Sequence, residues 1–167
     1  MFEYIWNGWR SSYISSQSSP KPNGSGSIFT QMLNSGMTDV EANIVHRGDL
    51  VFAILNAYPY TCGHVLILPY REESELENLT AAETSELWAA TTAAVLALKA
   101  TYLLDGLNVG INLGKPAGGS VSEHLHVHVV PRWTGDANFM TTLANTRSLP
   151  EPLDVTAAKV RAAWPAA

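Results

Sequence analysis

Cysteine, long apolar runs and basic clusters are what this sequence has least of. Cys62 is the only cysteine among 167 residues, which excludes an internal disulfide and is typical of a reducing compartment. No stretch approaches the roughly 20 apolar residues that a membrane-spanning helix needs. Residues 1–6 lack the basic region of a secretory signal peptide. These absences predict a cytoplasmic protein without a membrane segment.

Positive charge is also scarce, since ten Lys and Arg face fifteen Asp and Glu, for a net charge of −5. No block of Lys or Arg provides the electrostatic footprint of a nucleic-acid-binding protein, so we expect no nucleic-acid partner. An acidic protein that binds an anion must attract it locally, through imidazoles, backbone N–H groups or a bound cation. The length is that of a single domain.

Histidine is concentrated in one short stretch, where three of the five histidines alternate: His124, His126 and His128. Aliphatic residues occupy the positions between and after them. A period of two is typical of a half-buried β-strand, so we predict a strand over Leu125 to Val130 with all three imidazoles on one face. Pro131 lacks an N–H group and is expected to end the pairing.

Three imidazoles in a row have three interpretations. The first is a polar strand face that happens to use histidine. The second is a metal site, but the outer imidazoles of a straight strand stand roughly 13 Å apart, and zinc–nitrogen bonds are about 2 Å long. Two of the imidazoles with a distant ligand remain an alternative. The third is catalysis, in which one imidazole attacks while its neighbours orient it and hold an anion.

The rest of the pattern predicts an α+β fold with an antiparallel sheet. Thr80-Ala-Ala-Glu83 matches the capping box and begins a helix that we extend to about Leu103. Pro at a first turn favours a C-terminal helix over Pro152 to Trp164. Further strands are predicted at residues 43–46 and 50–56, around a turn at Gly48-Asp49, and at residues 64–68 and 107–113. The run at 64–68 is almost wholly apolar, so we expect it to be a central strand. Residues 138–146 are predicted as another strand or an irregular tail.

The stretch His124 to Val130 fits, position by position, the His-φ-His-φ-His-φ-φ pattern, and the sequence therefore resembles the histidine triad (HIT) family of nucleotide hydrolases and transferases. Asn56 to Pro69 resembles the strand–turn–strand upstream of that motif, and Asn108 to Ser120 its preceding strand and loop. Residues 131–139, Pro-Arg-Trp-Thr-Gly-Asp-Ala-Asn-Phe, are similar to the continuation in the diadenosine tetraphosphate phosphorylase branch found in bacteria.

The resemblance implies a five-stranded antiparallel sheet with one long helix packed on it and a C-terminal helix. It also implies that two subunits join their sheets, so we expect a homodimer or homotetramer. We divide the chain into an aromatic N-terminal segment with a flexible Ser/Pro/Gly loop at 1–26, a HIT domain at 27–147 and a C-terminal helix at 148–167. The aromatic residues at the start are expected to pack on the domain or on another subunit.

The resemblance also assigns roles to the histidines. His126 would attack the α-phosphorus to give a nucleotidyl-histidine, with His124 supporting the attack. His128 would donate to a phosphate oxygen or to the bridging oxygen of the leaving group. His64, the family's fourth histidine, either supports the triad or is a satisfied core histidine. Imidazole suits this chemistry because its ordinary pKa near 6.5 leaves a neutral nitrogen at pH 7.

Six other residues are candidates for substrate binding, each with a plain structural alternative. By resemblance, one asparagine contacts ribose and another lies near the phosphates, although each equally satisfies local backbone. The Gly-Gly-Ser turn at residues 118–120 offers backbone N–H groups as an anion cradle, or is simply a tight turn. Two serine hydroxyls are available to phosphate. In chain order the candidates are Asn56, Asn112, Gly118, Gly119, Ser120 and Ser122.

Metal ions are not expected to be required. Ser27-Ile-Phe-Thr30 occupies the region where many relatives carry Cys-x-x-Cys and bind zinc, and hydroxyls do not replace thiolates as structural zinc ligands. His46, Cys62 and His64 remain an unspecific alternative set of ligands. The prediction is therefore no resident cofactor, with a divalent cation carried by the polyphosphate still compatible.

The preferred activity is cleavage of a dinucleoside polyphosphate through a His126 adduct, with inorganic phosphate as acceptor, so that diadenosine tetraphosphate and phosphate give ATP and ADP. One alternative is a hydrolase of dinucleoside polyphosphates or nucleoside phosphoramidates, with water as acceptor. Others are a nucleotide-binding protein with vestigial turnover and a metal-dependent hydrolase. Arg132, Trp133, Asp136 and Asn138 are assigned either to the far end of the substrate or to oligomer contacts.

Overall fold

The computed structural model describes residues 26–119, 121–136 and 150–166. Within them, antiparallel strands form one five-stranded sheet in the spatial order β1-β2-β3-β5-β4. The strands are β1 (Ile44–Arg47), β2 (Val51–Leu55), β3 (Val65–Pro69), β4 (Gly106–Ile111) and β5 (Val127–Arg132). The helices are α1 (Ile28–Leu33), α2 (Ala81–Thr101) and α3 (Leu153–Ala163), with 3₁₀ turns at Leu76–Asn78 and Lys115–Ala117. The predicted α+β class and five-stranded sheet are confirmed.

The centre of the sheet is its most apolar part. All five residues of β3 are buried, which confirms the prediction that this strand is central. β1 and β2 form the predicted hairpin. The connection between them is hydrogen-bonded to α2, because the Glu86 carboxylate accepts from the N–H groups of Leu50 and Val51.

Helix α2 begins where the capping box predicts. The Thr80 hydroxyl accepts from the Glu83 N–H, and the Glu83 carboxylate accepts from the Thr80 N–H in return. These two bonds satisfy backbone donors that the first turn leaves without intrahelical partners. The helix ends at Thr101, two residues before the predicted end. Its buried face, which includes Leu87 and Leu98, packs on one face of the sheet.

The other helices divide between the two faces of the sheet. α3 packs on the same core as α2 through Ala157 and Val160, and its Arg161 guanidinium donates to the Ile44 carbonyl at 2.6 Å. α1 covers the opposite face, where Phe29 and neighbouring residues pack against a second cluster that contains Phe52 and Leu66. That opposite face carries the candidate site.

The structure corrects the predicted bounds of the last two strands. β4 ends at Ile111 rather than Leu113. β5 begins at Val127, so two of the alternating histidines precede the strand rather than lie in it. Pro131 does not end the pairing. Its carbonyl accepts from the Thr61 hydroxyl at 2.7 Å, on the side of β5 that faces β3, and β3 does not extend as far as Pro131. Its missing N–H therefore costs no ladder bond to β4.

Two of the predictions lie outside the described residues: the packing of the aromatic N-terminal segment and the strand or tail at 138–146. Of the helices within the described ranges, none combines the length and apolar character needed to cross a bilayer.

Candidate active site

The triad histidines lie together on the α1 face of the sheet. His128 pairs with Leu66 in the ladder, and Leu66 belongs to the cluster beneath α1. The rings of His126 and His128 have centroids 4.9 Å apart. Phe29 of α1 has its ring 5.6 Å from both His124 and His126. The predicted straight strand is wrong in detail, because His124 lies in the turn before β5, but the imidazoles do share one side of the sheet.

His126 is oriented by the backbone of His124. Its Nδ1 lies 2.7 Å from the His124 carbonyl oxygen. A carbonyl oxygen only accepts hydrogen bonds, so Nδ1 carries the proton and Nε2 of the neutral ring is bare. His126 is 6% exposed, which leaves a small opening for a reactant. The backbone therefore selects the tautomer in which Nε2 is the nucleophilic nitrogen.

His128 receives its tautomer through His64. The N–H of Tyr60 donates to His64 Nδ1 at 3.1 Å, so neutral His64 carries its proton on Nε2. That Nε2 lies 2.9 Å from His128 Nδ1 and donates to it. Neutral His128 must then present Nε2–H. The Asn112 amide nitrogen lies 3.3 Å from this nitrogen. Both atoms are donors in this tautomer, so the tautomer requires the Asn112 amide to be turned over, with its oxygen accepting from His128 Nε2–H.

Burial keeps the triad neutral. Removal from water lowers the pKa of His124 and of His126 below the ordinary value, because desolvation penalises the charged form. Burial, and then the repulsion of a charged His126, lowers the pKa of His128 to about 4. At pH 7 the three imidazoles are therefore neutral and bring no positive charge to the site.

The two candidate asparagines both contact histidines of the site. The Asn56 amide nitrogen lies 3.3 Å from His64 Nδ1, and its oxygen accepts from the Tyr58 N–H at 2.9 Å. Asn56 therefore also satisfies local backbone, as the alternative interpretation held. The position of Asn112 beside His128 places it next to the triad. Their predicted roles towards ribose and phosphate stay predictions.

The glycine loop differs from the predicted anion cradle. The Gly118 N–H donates to the Lys115 carbonyl at 2.9 Å, and the Gly119 N–H is directed at the Gly114 carbonyl at 3.4 Å. Both donors are thus turned into the loop itself, and an anion would have to replace these bonds. Ser122 lies in the turn that leads into His124. Ser120 lies outside the described residues.

The region compared with the zinc-binding Cys pair is next to the triad. The Ser27 hydroxyl lies 2.7 Å from His124 Nδ1, and the Thr30 hydroxyl donates to the Glu72 carboxylate at 2.7 Å. In the described ranges no group of three or more His, Cys, Asp or Glu side chains is arranged to hold a metal ion. His46 does not approach Cys62 or His64 but stacks on Trp164, with ring centroids 4.8 Å apart.

The branch-like residues after the triad make contacts within the chain. Arg132 donates to both carboxylate oxygens of Asp136 and to the Asn108 side-chain oxygen on β4. The Trp133 indole N–H donates to the Leu103 carbonyl at 2.8 Å. These bonds close the turn after β5 onto β4 and the end of α2. Asn138 lies outside the described residues.

Several contacts of the site were missing from the sequence-based prediction. Phe29, Tyr60 and Glu72 are far from the triad in sequence, and no local pattern marks them. Lys115 had a visible signal, since it is a cation in the loop before the triad. The described arginines and Lys159 bind carboxylates or carbonyls. Among described residues, Lys115 makes no such bond, and it follows Asn112 by three positions.

The shape of the surface alone would place the candidate site away from the triad. An open groove of about 590 Å³ runs between α2 and β4 and is lined by residues such as Lys99, Leu103 and Val109. No histidine is among its described lining residues. The imidazoles, with their buried and directed hydrogen bonds, are the stronger indicator of chemistry, so we place the candidate active site at the triad.

Comparison with known proteins identifies the family of the chain. The HIT domain family model matches residues 37–135. Over 164 residues the chain is 44% identical to the AP-4-A phosphorylase of Mycobacterium tuberculosis, which covers 96% of this chain and 83% of that protein. A bis(5'-adenosyl)-triphosphatase from Dictyostelium discoideum is 34% identical over 92 residues, or 55% of this chain and 61% of that protein.

Solved structures agree with the fold. A Zn-bound histidine triad family protein from Mycobacterium smegmatis superposes with a TM-score of 0.67 at 26% identity, covering 83% of this chain and 93% of its own. A hypothetical histidine triad nucleotide-binding protein from Sulfolobus tokodaii gives 0.66 at 26% identity, covering 81% and 89%. The arrangement of the imidazoles, the family match and these relatives lead to one assignment: the chain belongs to the histidine triad (HIT) family.

Proposed function

We propose that this protein is a nucleotidyl transferase that cleaves dinucleoside polyphosphates, and that its activity is that of a diadenosine tetraphosphate phosphorylase. The observation that carries the proposal is the bare, buried Nε2 of His126, held by the His124 carbonyl. The similarity to the AP-4-A phosphorylase over 96% of the chain supports this choice of substrate and acceptor.

In the first step, His126 Nε2 attacks the α-phosphorus, and the bond from that phosphorus to the bridging oxygen breaks. ATP leaves, and AMP remains attached to His126. The proton on His126 Nδ1 stays in place, and the His124 carbonyl stabilises the positive charge that the ring acquires. His128 presents Nε2–H, which donates to a phosphoryl oxygen or to the departing oxygen.

In the second step, an oxygen of inorganic phosphate attacks the same phosphorus, and the phosphorus–nitrogen bond breaks. ADP leaves, and His126 returns to its starting state. No proton transfer to or from His126 is needed in either step, because a polyphosphate is a good leaving group. Positioning and charge stabilisation therefore provide most of the rate enhancement.

Because the triad is neutral, another group must balance the negative charge of the polyphosphate substrate. We propose that Lys115 supplies this charge, because it is an exposed cation in the loop that begins beside Asn112. Three residues span at most about 11 Å, and a lysine side chain extends this reach. A divalent cation on the polyphosphate would serve the same purpose, without a resident metal site in the protein.

Product analysis is the direct test. Purified protein is incubated with diadenosine tetraphosphate, with and without inorganic phosphate, and nucleotides are resolved by ion-exchange chromatography. We expect ATP and ADP, only when phosphate is present, and no products from His126→Ala. AMP and ATP without phosphate would identify a hydrolase. Absence of turnover with nucleotide binding intact would contradict an enzymatic role and favour a nucleotide-binding protein.

The hydrolase is the second candidate, because several relatives carry such names. A bis(5'-nucleosyl)-tetraphosphatase (asymmetrical) from Schizosaccharomyces pombe is 32% identical over 97 residues, which is 58% of this chain and 53% of that protein. Phosphoramidate substrates belong to the same candidate. The two activities differ only in whether phosphate or water approaches the nucleotidyl-histidine, so the phosphate-free reaction separates them.

We also propose a homo-oligomeric, cytoplasmic enzyme. Among the residues that the structure describes, β4 is an edge strand of the sheet, and its Asn108, Val109 and Gly110 are exposed. An unpaired edge of this kind is available for pairing with a second chain. Light scattering after size-exclusion chromatography distinguishes monomer, dimer and tetramer, and a monomer at micromolar concentration would exclude the oligomer.

A further inference from the structure

A hydrogen-bonded cluster with a buried centre lies beside the triad histidine His124. It consists of Ser27, Thr30, Glu72 and His124, and we call it the Ser27 cluster. Ser27 and His124 are both fully buried. The Ser27 hydroxyl lies 2.7 Å from His124 Nδ1, and the Ser27 N–H donates to the Glu72 carboxylate at 2.6 Å. The cluster joins the start of α1 to the triad.

The direction of each bond follows from its partners. His124 Nε2 lies 2.8 Å from the Pro69 carbonyl oxygen, which can only accept. Neutral His124 therefore carries its proton on Nε2, and its Nδ1 is a bare acceptor. The Ser27 oxygen accepts from the Thr30 N–H as the N-cap of α1. The Thr30 hydroxyl, 3.2 Å from the Ser27 oxygen, donates its own hydrogen to Glu72. The Ser27 hydroxyl hydrogen goes to His124 Nδ1, which is the nearer of the two acceptors at 2.7 Å. Among described residues, Ser27 is the only hydrogen-bond partner of His124 Nδ1.

The cluster connects to the nucleophile through one peptide unit. The His124 carbonyl accepts the Nδ1–H of His126 at 2.7 Å. The next N–H, that of Leu125, donates to the Glu73 carbonyl at 2.7 Å. A ring held at both nitrogens and a peptide held at its N–H leave the His124 carbonyl little freedom to turn. The orientation of this carbonyl determines which nitrogen of His126 is protonated and which is bare.

We propose that Ser27 is a positioning residue for nucleotidyl transfer, whose hydroxyl holds the His124 ring so that the His124 carbonyl keeps His126 in the Nδ1–H tautomer. The inference rests on the proposed function for its catalytic consequence. It goes beyond that function because it assigns a role to a residue outside the histidine motif, contributed by the start of α1.

The test compares Ser27→Ala with two controls. Thr30→Val removes the hydroxyl that binds Glu72 and leaves the Ser27–His124 bond. Ser35→Ala makes the same chemical change at the other end of α1, where the hydroxyl binds only the local backbone. Steady-state kinetics with diadenosine tetraphosphate and phosphate give kcat and KM for each protein. Thermal melts followed by circular dichroism show that each variant is folded.

Histidine nitrogen-15 NMR spectra supply a readout that a merely structural role would not change. The wild type should show His124 protonated at Nε2 and His126 protonated at Nδ1. In Ser27→Ala, the His126 signals should shift towards a mixture of tautomers. Misplacement of a nucleophile costs up to about a hundredfold in rate, so we expect kcat to fall at least about tenfold with a smaller change in KM. Ser35→Ala should match the wild type.

Each outcome decides the inference. Equal losses of kcat in Thr30→Val and Ser27→Ala would overturn it, because anchoring of α1 would then explain both. A wild-type spectrum with His124 protonated at Nδ1 would also overturn it, with no variant needed. If Ser27→Ala does not fold, Ser27→Thr, which keeps the hydroxyl, must retain the wild-type tautomers. If the wild type turns over no dinucleoside polyphosphate, the proposed function fails while the spectra still test Ser27.

Discussion

Acidification should destabilise this protein between pH 7 and pH 5, and His128 should account for a measurable part of the loss. Burial, together with repulsion from a charged His126, lowers the pKa of His128 to about 4 from 6.5. In the unfolded chain the same imidazole takes up a proton as the pH falls below about 6.5. Between the two pKa values the unfolded state binds more protons, so the free energy of unfolding falls as the pH falls.

The size of the effect follows from linkage. A group with a pKa of about 6.5 in the unfolded state and about 4 in the folded state lowers the free energy of unfolding by about 2 kcal/mol when the pH falls from 7 to 5. Carboxylates contribute little in this window. The pKa of Glu83, for example, is lowered to about 2 by its bond to Arg71, so its share is lost mainly below about pH 5.

The assay is urea denaturation at pH 7 and pH 5 and constant ionic strength, for the wild type and for His128→Gln. Glutamine still accepts from His64 Nε2–H but does not titrate. The variant should lose about 2 kcal/mol less than the wild type between the two pH values. The remaining loss includes His46, His124 and His126, whose pKa values are also lowered by burial. Equal losses in the two proteins would refute the reasoning.

Three further perturbations test other contacts. His64→Phe removes the donor to His128 Nδ1, and the loss of a bond worth about 1–3 kcal/mol should lower kcat roughly tenfold to hundredfold in steady-state kinetics. Lys115→Ala should lower kcat/KM for diadenosine tetraphosphate about fivefold, as expected for one exposed charge contact worth about 1 kcal/mol, and should weaken its dependence on salt. Glu86→Ala leaves two backbone N–H groups of the β1–β2 connection without their carboxylate, and should lower the free energy of unfolding by about 1–3 kcal/mol in urea titrations.

Matched variants make these predictions specific. Lys99→Ala removes a cation of α2 that has no ion-pair partner within the described ranges. It lies on the other face of the sheet, and its removal should leave kcat/KM and its salt dependence unchanged. Glu77→Ala removes an exposed carboxylate and should change stability by less than about 0.5 kcal/mol. A wild-type kcat in His64→Phe would contradict the tautomer chain from Tyr60 to His128. Equal kinetic effects of the two lysine variants would exclude a specific role for Lys115.

The fold was largely readable from local patterns. The capping box at Thr80 was predicted correctly because its hydrogen bonds join residues three apart. The wholly apolar run of β3 predicted a central strand because a strand with neighbours on both sides and helices on both faces must be apolar throughout. The end of β5 was predicted wrongly, since a proline is tolerated only where the neighbouring strand has ended. Whether a neighbouring strand reaches Pro131 depends on where β3 begins, and not on Pro131 itself.

In the candidate site, too, some features could be predicted from local sequence and others depended on the tertiary structure. The alternating histidines and the residues after them were enough to predict the family, which the family match confirms, whereas His126 as nucleophile stays a prediction. The bonds of Arg132 to Asn108 and of Trp133 to Leu103 could not be predicted, because they depend on how β4 and α2 end beside the turn. The predicted anion cradle at Gly118 and Gly119 depended on where backbone N–H groups point, which residue identity does not specify.

By itself, then, the sequence determined the elements, the order of the chemistry-bearing residues and the kind of reaction they suit. These features depend on side-chain identity and on spacings of a few residues. The tertiary structure decided which nitrogen of each imidazole is bare, that burial lowers the pKa of each triad histidine, and that Ser27 and Tyr60 are hydrogen-bonded to His124 and His64. A tautomer is selected by the donor or acceptor at the other ring nitrogen, and here residues distant in sequence provide several of those partners. Only the folded chain brings them within hydrogen-bonding distance.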